Sequence, residues 1–357
     1  MAAIPVQTTT EEEANRSVEL AIAERGARNT RATWVTLVAV LIVAELIARF
    51  LSAGLADPQW NFAQTDRKVA EMRAIANDGG VELLFVGNSA VNSDVISGVI
   101  ARDTSFEGVY NAALDGSPGV LTNDWTINVA EPLLGPDVVV IGLTSRDLND
   151  GSRSNLRVTD GYLNSPGRAS FLGEETAGQK ADRFFGELSA LVRIRAFLRD
   201  PISLITQYRD DIAEERLRGV DDFTREPYAN DDILIDRTRE RALNDFSVDP
   251  DAAPGTQAGA IVDLIEKLQS RGVDVVLVEM PHAGADYISL HTNGQADYDA
   301  YEDTLRSIAE KAGVPLIDGT HPEWTTDYFE DFLHLNSAGA NTFSAELAVE
   351  LEKVLGR

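Results

Sequence analysis

The sequence predicts an α/β fold, a three-layer α/β/α sandwich built on a parallel sheet and preceded by one transmembrane helix. Three observations predict it. From residue 81 onward, short apolar runs alternate with segments of helical periodicity. The runs at 81–86 and 138–143 are continuously apolar, as in strands covered by helices on both faces. Residues 33–56, TWVTLVAVLIVAELIARFLSAGLA, are long and apolar enough to cross a bilayer.

Residues 1–32 are polar and read as a cytoplasmic segment holding a short helix. Thr10 with Glu13 forms a capping box, and Arg25, Arg28 and Arg31 suit the C-terminal end of the helix dipole. In the apolar stretch 33–56, Trp34 marks one interface. Glu45 and Arg49, four residues apart, pair on one face, with Arg49 reaching for the far headgroups. A cleavable signal sequence cut after Ala56 is the competing reading. The polar leader is longer than the usual charged n-region, which favours an uncleaved signal anchor. Arg16, Arg25, Arg28 and Arg31 precede the span, so the N-terminus is expected in the cytoplasm and the rest of this single-pass cell-membrane chain outside. Residues 57–80 form a linker and then a helix with Val69, Met72 and Ala76 on one face, stopped at Asp78, Gly79 and Gly80.

The domain at 81–357 opens with a strand ending in Gly87, Asn88 and Ser89. A helix carrying Val91, Val95, Ile96 and Val99 follows. Next come a strand at 108–113, a helix at 121–134 closed by Gly135 and Pro136, and a strand at 138–143. Helix and strand resume with Ile261, Leu264, Ile265 and Leu268, a strand at 275–278, a helix with Tyr301, Leu305 and Ile308, a strand at 315–317, and a last helix with Phe343, Leu347 and Leu351. The rhythm fails at 150–256, about a hundred residues where a connection of roughly 2–6 would serve. This insertion carries an amphipathic helix around Phe184, Leu188, Leu191 and Val192, then a charged stretch at 210–251. Because it leaves from the carboxyl end of a strand, it is expected on the side of Ser89, as a lid or acceptor-binding surface or as plain decoration.

Composition narrows the chemistry. The 357 residues carry 58 acidic against 31 basic side chains, a net charge of −27, and basic residues cluster only near the N-terminus. Nucleic acid is therefore excluded as a partner, since phosphate binding needs concentrated Lys and Arg. Cysteine is absent, which removes disulfides, a thiol nucleophile and Cys-based metal sites. No metal is expected, because no His and carboxylate set has ligand spacing. No cofactor is expected either. The Gly87-Asn88-Ser89 turn lacks the lysine and glycine cradle of a phosphate-binding loop, so a nucleotide-binding domain is a poor reading.

A serine on a strand-to-helix turn at the carboxyl edge of a parallel sheet has an exposed hydroxyl and nearby backbone N–H groups. Such a serine suits a nucleophile, and the same residues suit an ordinary turn. A nucleophile needs a base, and the chain has four histidines. His282 follows a strand and faces the same edge, while His291 and His321 lie in loops. His334 has Asp331 three residues upstream, so one turn folds carboxylate against imidazole. The candidate roles are Ser89 as nucleophile, His334 as general base and then acid, and Asp331 as the group that fixes its tautomer. The N–H groups of Ser89 and Gly116 are candidate oxyanion donors.

These residues resemble the SGNH hydrolases, the GDSL-like esterase superfamily. Gly87-Asn88-Ser89 matches the first block with Asn for Asp, Asn111 to Gly116 matches the second, and Asp331, His334, Asn336 and Gly339 match the last. The resemblance covers residues 80–150 and 257–357 and implies a flavodoxin-like sheet. The third block departs. Where the family has Gly-x-Asn-Asp, this chain has Thr144, Ser145, Arg146 and Asp147, so the side-chain Asn donor is missing unless Ser145 or Arg146 replaces it. With a membrane anchor, the architecture resembles proteins of polysaccharide O-acetylation and teichoic-acid D-alanyl transfer. That resemblance implies a serine esterase or O-acyltransferase working on an O-acylated cell-envelope or exported glycan, with the bilayer held through 33–56 and a membrane acyl-donor protein as a partner. The alternative is a catalytically silent domain of the same fold that binds glycan or scaffolds an envelope complex.

Overall fold

The computed structural model describes residues 11–52, 60, 63–195, 243 and 245–357. Thr10, the linker around Ala56 and most of the charged stretch at 210–251 lie outside them. The chain divides into two compact units, one of residues 1–55 with 176–208 and one of 56–175 with 209–357.

In the first unit, α1 (Glu11–Ser52) is a single continuous helix of 42 residues, where the sequence suggests a short polar helix followed by a separate span. Nothing between Glu11 and Ser52 stops a helix: the stretch has no proline, and its one glycine, Gly26, is a weak breaker on its own. Thr30–Phe50 is the one stretch among the described residues long and apolar enough to cross a membrane. The unit also contains α9 (Ala177–Leu188) and α10 (Ala190–Arg193). The amphipathic helix expected around 184–192 is thus two helices, because Ser189 turns extended and caps α10 with its side chain.

The second unit is the predicted sandwich. Its strands are β1 (Leu83–Gly87), β2 (Val109–Asn111), β3 (Val138–Leu143), β4 (Asp274–Glu279) and β5 (Leu316–Asp318). They form one parallel sheet in the order β2-β1-β3-β4-β5. This is the flavodoxin-like order, whose reversal point between β1 and β3 is where such sheets place ligands. β1 and β3 are buried at every position, which accounts for their unbroken apolar sequence.

The helices of this unit are α2 (Ala63–Asn77), α3 (Ser89–Asp94), α4 (Ser97–Asp103), α5 (Gly119–Trp125), α6 (Glu131–Leu134), α7 (Arg153–Leu163) and α8 (Pro166–Leu172). Beyond the insertion come α11 (Gln257–Ser270), α12 (Gly284–Ile288), α13 (Gln295–Ala312) and α14 (Ser337–Leu355). Two predicted helices are interrupted. The one after Ser89 breaks at Val95 and Ile96, where Asn111 donates to the Val91 and Val95 carbonyls and Ser344 bonds the Asp94 carbonyl and the Ile96 N–H. Tertiary bonds there replace helical ones. The one at 121–134 widens into a π turn at Thr126–Ala130, just before Pro132, which has no N–H to return to Asn128.

The insertion is not one piece. α7 and α8 belong to the sheet unit, where Trp60 packs against Trp125, Tyr162 and Phe171, and Arg168 pairs with Asp124 at 2.7 Å. The part carrying α9 and α10 groups instead with α1.

Candidate active site

β1 ends at Gly87 with φ +148°, a conformation side chains avoid. A Cβ there would lie 2.4 Å from the Gly142 carbonyl and 2.6 Å from the Val91 side chain, so only glycine lets α3 start this close to the sheet. Asn88 caps α3 by accepting from the Ala90 N–H at 2.8 Å. Its amide N–H2 donates to both carboxylate oxygens of Asp147 at 2.8 Å and to the Thr144 hydroxyl at 2.9 Å. The turn carrying Ser89 is thereby bolted to the end of β3. Asp147 also accepts from the Thr144 N–H, yet burial pushes its carboxyl up to about 6.

The imidazole reaches Ser89 from the opposite loop. His334 Nε2 lies 2.8 Å from Ser89 Oγ, and His334 Nδ1 lies 2.8 Å from Asp331 Oδ2. The other oxygen of Asp331 accepts the N–H groups of Leu333 and His334 at 2.7 and 2.8 Å, which closes the loop predicted from the three-residue spacing. Leu335 N–H donates to the buried Asp94 at 3.0 Å, tying this loop to the last turn of α3. Burial disfavours the imidazolium, but the charge and hydrogen bond of Asp331, with Asp94 behind it, outweigh burial and hold His334 above its ordinary value. Asp331 moves the other way. Burial alone would raise it, while His334 and the two N–H donors bring it below the usual carboxylate range.

Among the described residues no acceptor takes the N–H of Ser89 or of Gly116. Gly116 has φ +71° and open space where a Cβ would be. Its loop is tied to the Ser89 turn through Leu114 N–H to the Gly87 carbonyl at 3.0 Å and Asn92 to Asp115 at 2.7 Å. Gln64 also bonds Asp115, and the buried Lys68 bridges Asn92 and the Asn111 carbonyl at 2.9 and 2.8 Å. In the divergent third block, the fully buried Ser145 hydroxyl is occupied by Tyr287 at 2.6 Å and His291 Nε2 at 2.8 Å. That commitment removes its side chain from the candidate donors. Arg146 is different. Its guanidinium is half-buried and has no hydrogen bond or ion pair among the described residues, and its charge acts on His334 and Asp147.

The remaining histidines are placed elsewhere. His282 is buried against Tyr298, His291 serves Ser145, and His321 stands between Glu323 and Glu346 at 3.2 Å from each. No metal-binding group of His, Asp and Glu occurs among the described residues. Sequence reasoning missed Lys68, Asp94, Tyr287 and the link between Asn88 and Asp147. None of these carries a local signal, Asp94 included, since it closes the already polar turn SAVNSD.

No family profile and no curated protein matches the chain. Solved structures do. A GDSL-like lipase from Bacteroides thetaiotaomicron is 12% identical over 81% of this chain and 97% of its own, with a TM-score of 0.41. An aryl esterase from M. smegmatis is 11% identical over 76% and 98%, with a TM-score of 0.38. A catalytic mutant of an acetylxylan esterase from Geobacillus stearothermophilus is 11% identical over 78% and 95%, with a TM-score of 0.39. Scores this low carry nothing about chemistry, which has to come from the residues themselves.

Proposed function

We propose that the chain is a membrane-anchored serine esterase or O-acyltransferase of the SGNH type, acting through an acyl-Ser89 intermediate on an O-acylated cell-envelope or exported glycan. The observation that carries this is the unbroken relay Ser89–His334–Asp331, two contacts of 2.8 Å at the carboxyl edge of β1. Ser89 Oγ attacks the ester carbonyl as its proton passes to His334 Nε2. The N–H groups of Ser89 and Gly116 receive the oxyanion, and Arg146 takes the place of the absent Asn as the third donor. His334 then gives its proton to the leaving alcohol, which departs from acyl-Ser89. Water or a sugar hydroxyl next surrenders its proton to His334 and attacks the acyl carbon; the bond from that carbon to Ser89 Oγ breaks, His334 returns the proton to Oγ, and the free acid or new ester leaves. The glycan is supported by the family resemblance and by an apolar N-terminal helix that would hold the domain at the outer face of the membrane.

The test is a fluorophosphonate probe on the full chain, with the labelled peptide read by mass spectrometry. Labelling is expected at Ser89 and absent in Ser89→Ala. In His334→Ala, labelling and ester hydrolysis are expected to fall by about 10³-fold or more. A folded protein whose Ser89 never labels would overturn the catalytic reading and favour a silent glycan-binding domain, consistent with the missing side-chain amide at the third block.

A further inference from the structure

The apolar stripe of an amphipathic helix normally packs inward, and on α9 it does the opposite. Ala177, Ala181, Phe184, Phe185 and Leu188 fall on one side at helical spacing. Phe184, Phe185 and Leu188 are 56, 55 and 59% exposed. The residue turned inward is Gly186, buried against the backbone of Arg193. Two adjacent phenylalanines and a leucine left in water form a patch of the kind that marks an interaction surface.

What α9 and α10 are fastened to indicates what covers that patch. Glu45 of α1 accepts from the Ser189 hydroxyl at 2.7 Å and from the N–H groups of Ala190 and Leu191 at 2.8 and 3.2 Å. Arg49 bonds Glu45 at 2.8 Å and the Leu188 carbonyl at 3.0 Å. Ala48, Ala190 and Ile194 pack together as a small buried cluster. A carboxylate inside an apolar span is costly unless donors surround it, and here the first turn of α10 supplies them. Glu45 precedes Phe50, the end of the apolar stretch, by five residues, roughly 7 Å at 1.5 Å per residue. Interfacial helices bury their apolar faces to about this depth, roughly 5–10 Å.

We infer that α9 is an interfacial helix, held at the C-terminal edge of the span by Glu45 and Arg49, that lays Phe184, Phe185 and Leu188 into the lipid of the same leaflet. This rests on the reading of α1 as a membrane span. The insertion then serves as a second membrane contact, and it limits how freely this edge of the anchor can turn or slide.

The chain has no cysteine, so single cysteines can be placed at will. Val40→Cys, Phe185→Cys and Glu187→Cys variants of the full chain, labelled with an environment-sensitive fluorophore, are reconstituted in phosphatidylcholine vesicles with and without spin-labelled lipid. Blue-shifted emission quenched by the spin label is expected at 40 and 185, with water-like, unquenched emission at 187. A lipid signal at 40 with a water-like signal at 185 would overturn the interfacial helix and leave the anchor standing. Blue-shifted but unquenched emission at 185 would also overturn it, because protein, such as a second copy, would then cover the patch. Water-like emission at 40 would remove the span and the interfacial helix together.

Discussion

At the ends of β1 and β4 the sheet unit assembles the same three functional groups, a carboxylate, a hydroxyl and an imidazole, and tunes them in opposite directions. Around Ser89 the order is Asp331, His334, Ser89, partly open to solvent, with Asp331 lowered and His334 raised. At the end of β4 it is Glu279, Tyr298, His282, joined by contacts of 2.8 and 2.7 Å and buried. There burial, with Glu302 and Asp318 nearby, pushes Glu279 up to about 7, and burial with His291 pushes His282 down to about 4. The difference lies in donors. Asp331 receives two backbone N–H groups and the imidazole, whereas Glu279 receives one phenol. In a poorly solvated site, the donors aimed at a carboxylate decide whether it keeps its charge and can support an imidazolium. The first cluster favours the ion pair of carboxylate and imidazolium, and the second favours the protonated acid and the neutral imidazole up to about pH 7.

The largest expected effect comes from making the first cluster resemble the second. Asp331→Asn removes the negative charge while keeping an acceptor, and should lower kcat/KM for an activated ester by about 10²–10⁴. The pH profile separates tuning from misfolding. His334 would work as a base only when neutral, so in the natural chain ester hydrolysis should rise with pH through a value above the ordinary histidine 6.5. Without the Asp331 charge the imidazolium loses its support, and this acid limb should move to lower pH. A limb that stays in place would show that Asp331 does not set the base.

A second change alters the link that holds Ser89 to β3. Asn88→Asp would set two carboxylates against each other where an amide now meets Asp147 at 2.8 Å. One of them must then stay protonated. The expected loss is roughly 2–4 kcal/mol in urea unfolding at pH 8, smaller at pH 5 where the pair retains a proton. Asn88→Asp with Asp147→Asn restores one amide and one carboxylate and should recover most of the loss, which tests the pairing itself. Additive losses in the double variant would mean that the pair does not act as a unit.

The contrast also explains what could be read in advance. The five strands and most helices were legible because burial on both faces leaves long apolar runs and Gly marks the stops. Ser89, Asp331 and His334 were legible because each sits at a turn whose local spacing restricts its geometry. What escaped is long-range. Asn88 with Asp147, Ser145 with Tyr287 and His291, and Lys68 under the Gly116 loop are separated by 59, 142 or 146, and 43 or 24 residues. Nothing local in the sequence pairs them. The breaks at Val95 and after Ser189 are of the same kind, since distant acceptors and donors replace helical hydrogen bonds at positions with ordinary helical periodicity.

The smallest effect probes the neutral cluster. Glu279 holds its proton in the folded chain up to about 7, while the unfolded chain releases it near 4.5, so this group makes the fold less stable as pH rises through that window. His282 acts in the reverse sense. Its depressed folded value costs stability as pH falls from 6.5 toward about 4. Glu279→Gln keeps an acceptor for Tyr298 and removes only the first of these terms. Its unfolding free energy should therefore match that of the natural chain near pH 4.5 and exceed it by on the order of 1–3 kcal/mol at pH 8. Ester hydrolysis should be unchanged, because Glu279 is absent from the relay. Parallel stability curves for the two proteins from pH 4.5 to 8 would mean that folding does not raise Glu279, and the opposite tuning that separates the two clusters would be lost.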